Sequence, residues 1–535
     1  MKPEIESKQV VKGAFLLTVA AIITKILSAI YRVPFQNIAG DIGFYIYQQV
    51  YPFYGAAVVL STYGFPVVIS KLYAEKMSLN DRDGANQLLV ISFFFLLLLG
   101  LICFFGLYTG ADWLSRLMGD SNLAPLFKVI SLVFLIFPFI SVLRGYFQGK
   151  NDMVPTAVSQ IGEQTVRVAT ILTLASVFMA KDYPLYFAGA GAVFGSVTGA
   201  LTSAFILWLF LKKKNKKFVF TKALRLTRSQ TARMIKALSI EGTAICITGM
   251  LLIIIQLADS LNLYSLLIVS GAGREEAKVL KGIYDRGQPL IQLGTAAATS
   301  LSLTLVPLIS REKLKAKKDL LLEKIKSAIQ ISVIIGTGAS VGLWSIIEPT
   351  NKMLFENSEG SNVLAVLCFI ILLSSIIITL SSILQGMGYT LFPALTILAG
   401  FALKLMGNLI LVPSFGIMGA AMASLATFAF IMILLMVKVW MIIGTRLLSA
   451  RLLFVVMLAA GVMALILHVY ITFSDRLFFI SEAGRIASAI QAVSAVGLGG
   501  LVYLWIILRG HILKKEEIAL LPLGSKLLLL LPKRD

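Results

Sequence analysis

The sequence is poor in the residues that build metal sites, disulfide frameworks and catalytic centres. Among 535 residues there are three cysteines, Cys103, Cys246 and Cys368, and two histidines, His468 and His511. The cysteines lie far apart within apolar runs, which excludes a disulfide framework or a metal-binding spacing. No Gly-x-x-x-x-Gly-Lys-Ser/Thr loop is present, so ATP is not expected to be the direct energy source. We predict no catalytic residue, no metal site and no cofactor.

Charge is also scarce, at 14% of residues, and it is strongly one-sided, with 48 basic against 27 acidic side chains. The chain is 58% hydrophobic with a mean hydropathy of +0.88, which excludes an ordinary soluble domain. The basic residues concentrate between apolar runs. This placement favours anionic membrane lipids as partners and argues against nucleic acid.

The apolar runs are continuous rather than alternating, which predicts membrane-spanning helices and not a barrel. We predict an all-α membrane protein with fourteen spans, near 13–33, 44–70, 87–109, 126–147, 155–178, 185–211, 234–257, 286–309, 327–347, 363–386, 392–412, 417–440, 452–472 and 486–508.

The distribution of lysine and arginine predicts the orientation of these spans. With the N-terminus inside, 34 of the 48 basic residues fall in inside segments and 10 in outside segments. The positive-inside rule therefore places both termini in the cytoplasm. The lysine-rich segment 212–236 is expected to lie on the anionic inner leaflet.

An internal repeat relates spans four and five to spans ten and eleven. Gln148 precedes Arg167 by 19 positions, and Gln385 precedes Lys404 by the same number. Spans two and eight share a second pattern, which ends in Pro307 and Arg311 in span eight. An offset of six spans predicts two similarly oriented six-helix bundles, related by a pseudo-twofold axis normal to the membrane, plus two extra helices. The predicted divisions are 1–226, 227–443 and 444–535.

Several predicted spans contain charged residues, which in a membrane usually mark function. Lys25 and Arg32 are two turns apart in span one and share a face, about 10 Å apart along the axis. This pattern indicates a basic stripe for an anionic substrate. Snorkelling of Arg32 to the outer headgroups is the alternative.

Further charges occur in spans five, seven, eight and eleven. Glu163 can pair with Arg167 four residues later on its own helix. Lys404 has no acidic residue at that spacing, so its partner is expected from another helix or from the substrate. Glu241, alone in span seven, is a candidate for ion coupling or gating, together with Glu163 and with Asp285 at the start of span eight.

Span two is rich in tyrosine. Tyr47, Tyr51 and Tyr54 follow a helical spacing and share one face. Together with the amides of Gln48 and Gln49 they would suit a sugar headgroup, and an aromatic belt at the membrane interface explains them equally well.

The ordered set of motifs resembles the polysaccharide-transporter branch of the multidrug/oligosaccharidyl-lipid/polysaccharide exporter superfamily, and within it the MurJ-type lipid II flippases and the stage V sporulation protein B group. Four segments carry the resemblance: Thr24–Arg32, Phe65–Lys71, Arg144–Gly149 with Pro155, and Tyr284–Arg286 through Pro307 to Arg311. It implies a bacterial cytoplasmic membrane protein with two alternating bundles and a cationic cavity.

The resemblance implies a flippase for an undecaprenyl-pyrophosphate-linked saccharide. The family's basic residues in span one match Lys25 and Arg32, and its acidic–basic pair at span eight matches Asp285 and Arg286. With Arg167, Lys404 and Tyr51 added from the span analysis, the predicted substrate-binding residues are Lys25, Arg32, Arg167, Arg286, Lys404 and Tyr51. We expect a monomer that is coupled to sodium, protons or the membrane potential. Ala56 or Ala57 stands where such flippases carry a further basic residue. A cation-coupled multidrug exporter is the main alternative. A membrane enzyme would need a catalytic outer loop, and the longest predicted one, about 258–285, has no histidine.

Overall fold

The computed structural model describes residues 16–213, 228–299, 309, 318–478, 484–510 and 512, except positions 18, 21, 297 and 446. Over these residues, helices occupy all fourteen predicted spans, and no strand is present. Ten of the described helices are long and apolar enough to cross a membrane. The all-α, multi-pass architecture predicted from the apolar runs is confirmed.

The chain forms two compact units. The first comprises residues 1–285 and 389–423, and the second comprises 286–388 and 424–535. The predicted divisions at 226/227 and 443/444 follow the sequence repeat and remain a prediction. The first of these boundaries, both termini, Pro307 and Arg311 lie outside the described residues.

The first unit contains helical residues 22–30 and two π-helical turns, Leu60–Gly64 and Leu238–Gly242. A 3-10 turn occupies Ser121–Leu123. Its α-helices are Arg32–Val59, Phe65–Ser78, Arg82–Leu117, Ala124–Ser131, Val133–Gly149, Val154–Ala180, Leu185–Lys213, Arg228–Ala237, Thr243–Gly249, Leu251–Val269 and Arg274–Asp285.

The second unit contains the α-helices Gly287–Gly294, Lys318–Ser345, Ile347–Phe355, Ser361–Gly386, Ala450–Phe478 and Gly484–Arg509. One long helix, Leu391–Ile443, contributes its first part to the first unit and its last part to the second.

Two glycines bend helices where the sequence predicts loops between spans. Gly40, at φ 67°, lies within the helix Arg32–Val59, and Gly416, at φ 55°, lies within Leu391–Ile443. Positive φ is readily adopted only by glycine, so each residue allows a sharp change of direction without a loop. The helix of span one therefore continues past Arg32 as far as Gly40.

The prediction of a long outer loop at about 258–285 is wrong. Span seven continues as the helix Leu251–Val269, and a further helix covers Arg274–Asp285. The polar residues of this stretch lowered its apparent hydropathy, but many are buried inside the unit. Asp259 is one of them.

Small residues let spans five and six approach closely. Gly191, Gly195 and Gly199 recur every four residues along one face of span six. A Cβ at Gly199 would lie 2.9 Å from the Arg167 Cβ, so no larger residue fits there without a shift. This packing, common between membrane helices, fixes the position of Arg167.

Candidate functional site

An arginine–tyrosine cluster lies inside the first unit, among residues of spans one, two and five. All six members are buried: Arg32, Arg167, Tyr31, Tyr47, Tyr51 and Tyr54. Consecutive tyrosine rings lie 6.2, 5.8 and 6.2 Å apart between centroids. The shared face predicted for span two is confirmed. Burial of its rings rules out the interface-belt interpretation of these tyrosines.

Arg32 is a buried cation that lies against an aromatic ring. Its guanidinium carbon lies 4.2 Å from the centroid of the Tyr51 ring. The residue is 0% exposed, and none of its three side-chain nitrogens makes a hydrogen bond to the described residues. A desolvated cation–π contact contributes about 2 kcal/mol, less than the several kcal/mol that burial of an ion costs. The snorkelling alternative is wrong, because the side chain is enclosed.

Arg167 is held by hydroxyl groups and aromatic faces. It donates hydrogen bonds to the hydroxyls of Tyr31 at 2.6 Å and Tyr47 at 2.7 Å, and to Gln164 at 3.1 Å. Its guanidinium carbon lies 4.1 Å from the Tyr54 ring centroid. Its Nε has no hydrogen-bond partner among the described residues. Arg167 therefore keeps a free donor.

Neither of these arginines is in direct contact with a carboxylate of the described residues, although Asp285 interacts electrostatically with Arg32. In the described part of the chain, neither Arg32 nor Arg167 belongs to an ion pair. Both guanidinium groups stay charged at any physiological pH. The cluster thus has two positive charges in a water-poor environment, where an anion would be attracted strongly. Planar guanidinium groups suit phosphate oxygens in particular.

Two amide side chains next to the cluster in sequence are also unsatisfied. Gln48 and Gln49 are 0% exposed, and all four of their amide atoms lack hydrogen-bond partners among the described residues. A buried amide without a partner costs about 1–3 kcal/mol. Their presence in the tyrosine-rich part of span two is compatible with a polar ligand.

Glu163 pairs with Arg144 and not with Arg167, so the pairing predicted along one helix is wrong. Arg144, from span four, approaches the carboxylate at 2.9 Å. All five guanidinium N–H groups of Arg144 have an acceptor: Ser159 Oγ at 3.2 Å, the Ser61 carbonyl at 3.2 Å, Thr62 Oγ1 at 2.7 Å, Glu163 Oε2 at 2.9 Å and Ser203 Oγ at 2.8 Å. A neighbouring helix offers Glu163 a better-placed partner.

A second buried group, the lysine–aspartate cluster, lies in the same unit and consists of Asp259, Lys281, Tyr284, Asp285, Lys404 and Asn408. Lys404 Nζ lies 2.7 Å from Asp259 Oδ1 and also donates to Asn408 at 2.9 Å and to the Ala420 carbonyl at 2.7 Å. The prediction that Lys404 finds its partner on another helix is confirmed.

Asp285 pairs with Lys281 on its own helix at 2.6 Å. Its second oxygen has no hydrogen-bond partner among the described residues. Tyr284 joins the two pairs, since its hydroxyl donates to Asp259 at 2.9 Å and its ring centroid lies 5.9 Å from both lysine nitrogens. Two lysines and two aspartates leave this cluster without net charge.

Arg286 belongs to the second unit, although it follows Asp285 directly. It donates to Asn351 at 3.3 Å and to Asn357 at 2.7 Å, and its guanidinium carbon lies 5.2 Å from the Phe355 ring centroid. The hydrogen bonds described here for Arg286 lie within the second unit, and the ion pair of Asp285 lies within the first.

The remaining predicted residues have less enclosed surroundings. Lys25 is half-buried on span one. The sequence predicts that Glu241 is the lone charge of span seven, but its carboxylate lies 3.3 Å from Lys71 Nζ. The Glu241 side chain is 42% exposed and the Lys71 side chain is 66% exposed. The roles predicted for Lys25 and Glu241 remain predictions.

Metal-binding chemistry finds no support in the described residues. They include no group of three or more histidine, cysteine, aspartate or glutamate side chains suited to a metal ion. All three cysteines are free thiols.

Sequence reasoning missed Arg144, Asp259, Lys281 and Tyr31 as members of buried polar groups. Arg144 lies near the end of predicted span four, and Asp259 and Lys281 lie in the predicted outer loop. An available signal was that burial of a cation is costly unless a carboxylate lies beside it. Spans five and eleven together contain two basic residues, Arg167 and Lys404, but only one carboxylate, Glu163. This excess of positive charge predicts a further acidic residue on another helix.

Fourteen helical spans and buried charges within a compact unit define the class of multi-pass membrane transport proteins. A family model described as polysaccharide biosynthesis protein matches residues 10–313, more than half of the sequence. The chain belongs to this family.

Curated relatives match along almost the entire chain. The uncharacterized membrane protein YabM of Bacillus subtilis (strain 168) is 44% identical over 98% of this chain and 97% of its own length. From the same organism, the lipid II flippase MurJ is 27% identical, covering 93% and 95%, and stage V sporulation protein B is 28% identical, covering 97% and 98%.

Solved structures share the fold. A lipid II flippase MurJ in an inward closed conformation superposes with a TM-score of 0.64 at 15% identity, covering 92% of this chain and 98% of that one. An inward-facing multidrug resistance MATE family transporter of the MOP superfamily gives 0.59 at 18% identity, covering 79% and 98%. The chain has the MurJ/MATE-like fold. The relatives with a stated activity are transporters or flippases, not enzymes.

Proposed function

We propose that this protein is a flippase that moves an undecaprenyl-pyrophosphate-linked saccharide across the bacterial cytoplasmic membrane by alternating access. The pyrophosphate would meet Arg32 and Arg167, and the saccharide would contact the tyrosines and amides of span two. Both termini would lie in the cytoplasm.

The observation that carries this proposal is the pair of buried arginines that form no ion pair with the described residues. Such an arrangement is unfavourable for the empty protein, because each charge loses its hydration without gaining an ion-pair partner. A doubly charged diphosphate would supply the missing negative charges and accept the unused donors. Arginine binds phosphate oxygens through charge-assisted hydrogen bonds, which are stronger than neutral ones.

The relatives support the substrate class. Lipid II, named for the MurJ relative, is a lipid-linked precursor, and family membership links the chain to polysaccharide biosynthesis. The particular saccharide is therefore proposed only as a cell-wall or polysaccharide precursor.

Enclosure of the site supports alternating access. Arg32 and Arg167 are both 0% exposed in this structure, so a substrate reaches them only after the protein opens. Coupling of this opening to sodium, protons or the membrane potential remains a prediction, as do the roles of Asp285, Glu163 and Glu241 in it.

The cation exporter remains the alternative because MATE transporters share the fold. The charge of the arginine–tyrosine cluster disfavours it, since two uncompensated arginines repel a cationic drug. Resistance to organic cations upon overexpression, without movement of a lipid-linked saccharide, would favour the exporter.

The flippase proposal is tested with purified protein in liposomes that contain a fluorescent undecaprenyl-pyrophosphate saccharide. A membrane-impermeant quencher reports how much of the lipid reaches the opposite leaflet. We expect the Arg32→Gln and Arg167→Gln variants to flip at least about tenfold more slowly, the loss expected from one charged hydrogen-bonding group.

Arg116→Gln is the matched control, because Arg116 is exposed and donates to a backbone carbonyl of its own helix. It should flip at the wild-type rate. Wild-type rates in both Arg32 and Arg167 variants would contradict the proposed site, and absence of flipping in the wild type with every gradient supplied would contradict the proposed function.

A further inference from the structure

Glu163 is a potential competitor for the proposed anion site. It lies four residues before Arg167 on the same helix, a spacing at which oppositely charged side chains meet. Tyr54 already connects them: its hydroxyl donates to Glu163 Oε1 at 3.4 Å while its ring covers Arg167 at 4.1 Å. An unrestrained Glu163 would therefore be within reach of Arg167.

Arg144 removes this competitor. Its side chain is 0% exposed and holds Glu163 Oε2 at 2.9 Å. Because its other donors are fixed by spans two, five and six, Arg144 cannot follow the carboxylate towards Arg167. One of these anchors, the Ser61 carbonyl, belongs to the π-helical turn Leu60–Gly64. Such turns leave backbone groups available to side chains.

The three buried arginines of this unit differ in how their donors are used. Arg144 uses all five N–H groups within the protein, Arg167 keeps its Nε free, and Arg32 uses none among the described residues. Saturated donors are typical of a residue that organises its surroundings. Free donors in a buried arginine are suited to a ligand that arrives later.

We infer that Arg144 is a positioning residue that sets the charge of the anion site by sequestering Glu163 from Arg167. The inference rests on the proposed function, and it assigns Arg144 no contact with the substrate. With Arg144 present, the arginine–tyrosine cluster has two net positive charges. Without it, Glu163 would turn to Arg167, and the cluster would have one.

The test measures affinity for inorganic pyrophosphate by titration calorimetry on the full chain in lipid nanodiscs. We expect Arg144→Met to weaken binding about tenfold or more, because one of two nearby positive charges is neutralised. Glu163→Gln should bind at least as tightly as the wild type. The double variant Arg144→Met/Glu163→Gln should bind within about threefold of the wild type, because no carboxylate remains to compete.

Thermal unfolding separates this role from a purely structural one. Each single variant leaves a buried charged partner behind, so both should unfold at lower temperature than the wild type. Binding, in contrast, should fall only in Arg144→Met. Equal loss of binding in both single variants would overturn the inference, because the loss of binding would then correlate with the loss of stability and not with the removal of Arg144.

The double variant keeps the inference falsifiable if Arg144→Met fails to fold. It lacks both buried charges, so it should accumulate, and loss of pyrophosphate binding in it would show that Arg144 binds the anion directly. Wild-type affinity in Arg144→Met together with weak binding in Arg167→Gln would refute the positioning role and leave the flippase site intact. Wild-type affinity in Arg167→Gln and Arg32→Gln would instead refute the site itself.

Discussion

The first unit contains two buried clusters that differ in the groups that surround their positive charges. In the lysine–aspartate cluster each lysine has a carboxylate, at 2.6 Å for Lys281 and 2.7 Å for Lys404. In the arginine–tyrosine cluster, Arg32 and Arg167 have rings and hydroxyls in place of carboxylates. Both clusters are buried and contain charged side chains. The arginine–tyrosine cluster has a net positive charge that an anionic ligand could neutralise, whereas the lysine–aspartate cluster has no net charge.

The difference shows that a charge inside a membrane protein does not identify a binding site on its own. A buried ion usually marks function in a membrane, but a lysine with a carboxylate beside it can equally stabilise helix packing. The informative feature is the absence of a partner. By this criterion Arg32 and Arg167 are better candidates for a substrate contact than Lys404, which has three oxygen partners.

The largest effect on stability is expected from Lys404→Met. The substitution leaves Asp259 buried without its cation and should lower the free energy of unfolding by about 3 kcal/mol, the range measured when one member of a buried pair is removed. Thermal unfolding in detergent checks this. Restoration by Asp259→Asn in the same chain would show that the unpaired carboxylate causes the loss, whereas an unchanged unfolding temperature in Lys404→Met would erase the contrast between the clusters.

Arg32→Met should change stability in the opposite direction. A methionine removes a buried cation that lacks a partner, so the unfolding free energy should rise by about 1–3 kcal/mol. Flipping should fall in the same variant, as expected where activity requires an unfavourable arrangement. A lower unfolding temperature than that of the wild type would mean that Arg32 is stabilised by a partner and is not a vacant donor.

The smallest effect is expected at the exposed pair of Lys71 and Glu241. Glu241→Gln should change the unfolding free energy by less than about 1 kcal/mol, because solvent-exposed ion pairs contribute little. Measured beside Lys404→Met, it separates the effect of burial from that of pairing. A loss as large as that of Lys404→Met would indicate that Glu241 has a role beyond the exposed contact.

Much of the fold was predictable because membrane helices follow directly from long apolar runs. All fourteen spans were found this way. The errors occurred where polar residues are buried within the unit. Asp259, Lys281 and Tyr284 made the stretch 258–285 resemble an outer loop, whereas it is largely helical. Lys281 pairs with Asp285 within the stretch, and Asp259 pairs with Lys404.

The sequence predicted which residues belong to the site, but it did not predict which side chains pair with one another. Arg32, Arg167 and Tyr51 were recognised because charge and aromatic rings in a span are unusual. Partners on other helices were invisible, because helix spacing reports only neighbours on the same helix. That rule assigned Glu163 to Arg167, and only the packing of span four against spans two, five and six reveals Arg144 as its partner.

The central claim is that the buried arginines without carboxylates receive the pyrophosphate of the substrate. A structure of the protein in nanodiscs with a bound undecaprenyl-pyrophosphate saccharide tests it most directly. The account predicts phosphate oxygens within hydrogen-bonding distance of both the Arg32 and Arg167 guanidinium groups. Pyrophosphate bound elsewhere, with Arg32 still on Tyr51 and Arg167 still bonded to Tyr31 and Tyr47, would contradict it.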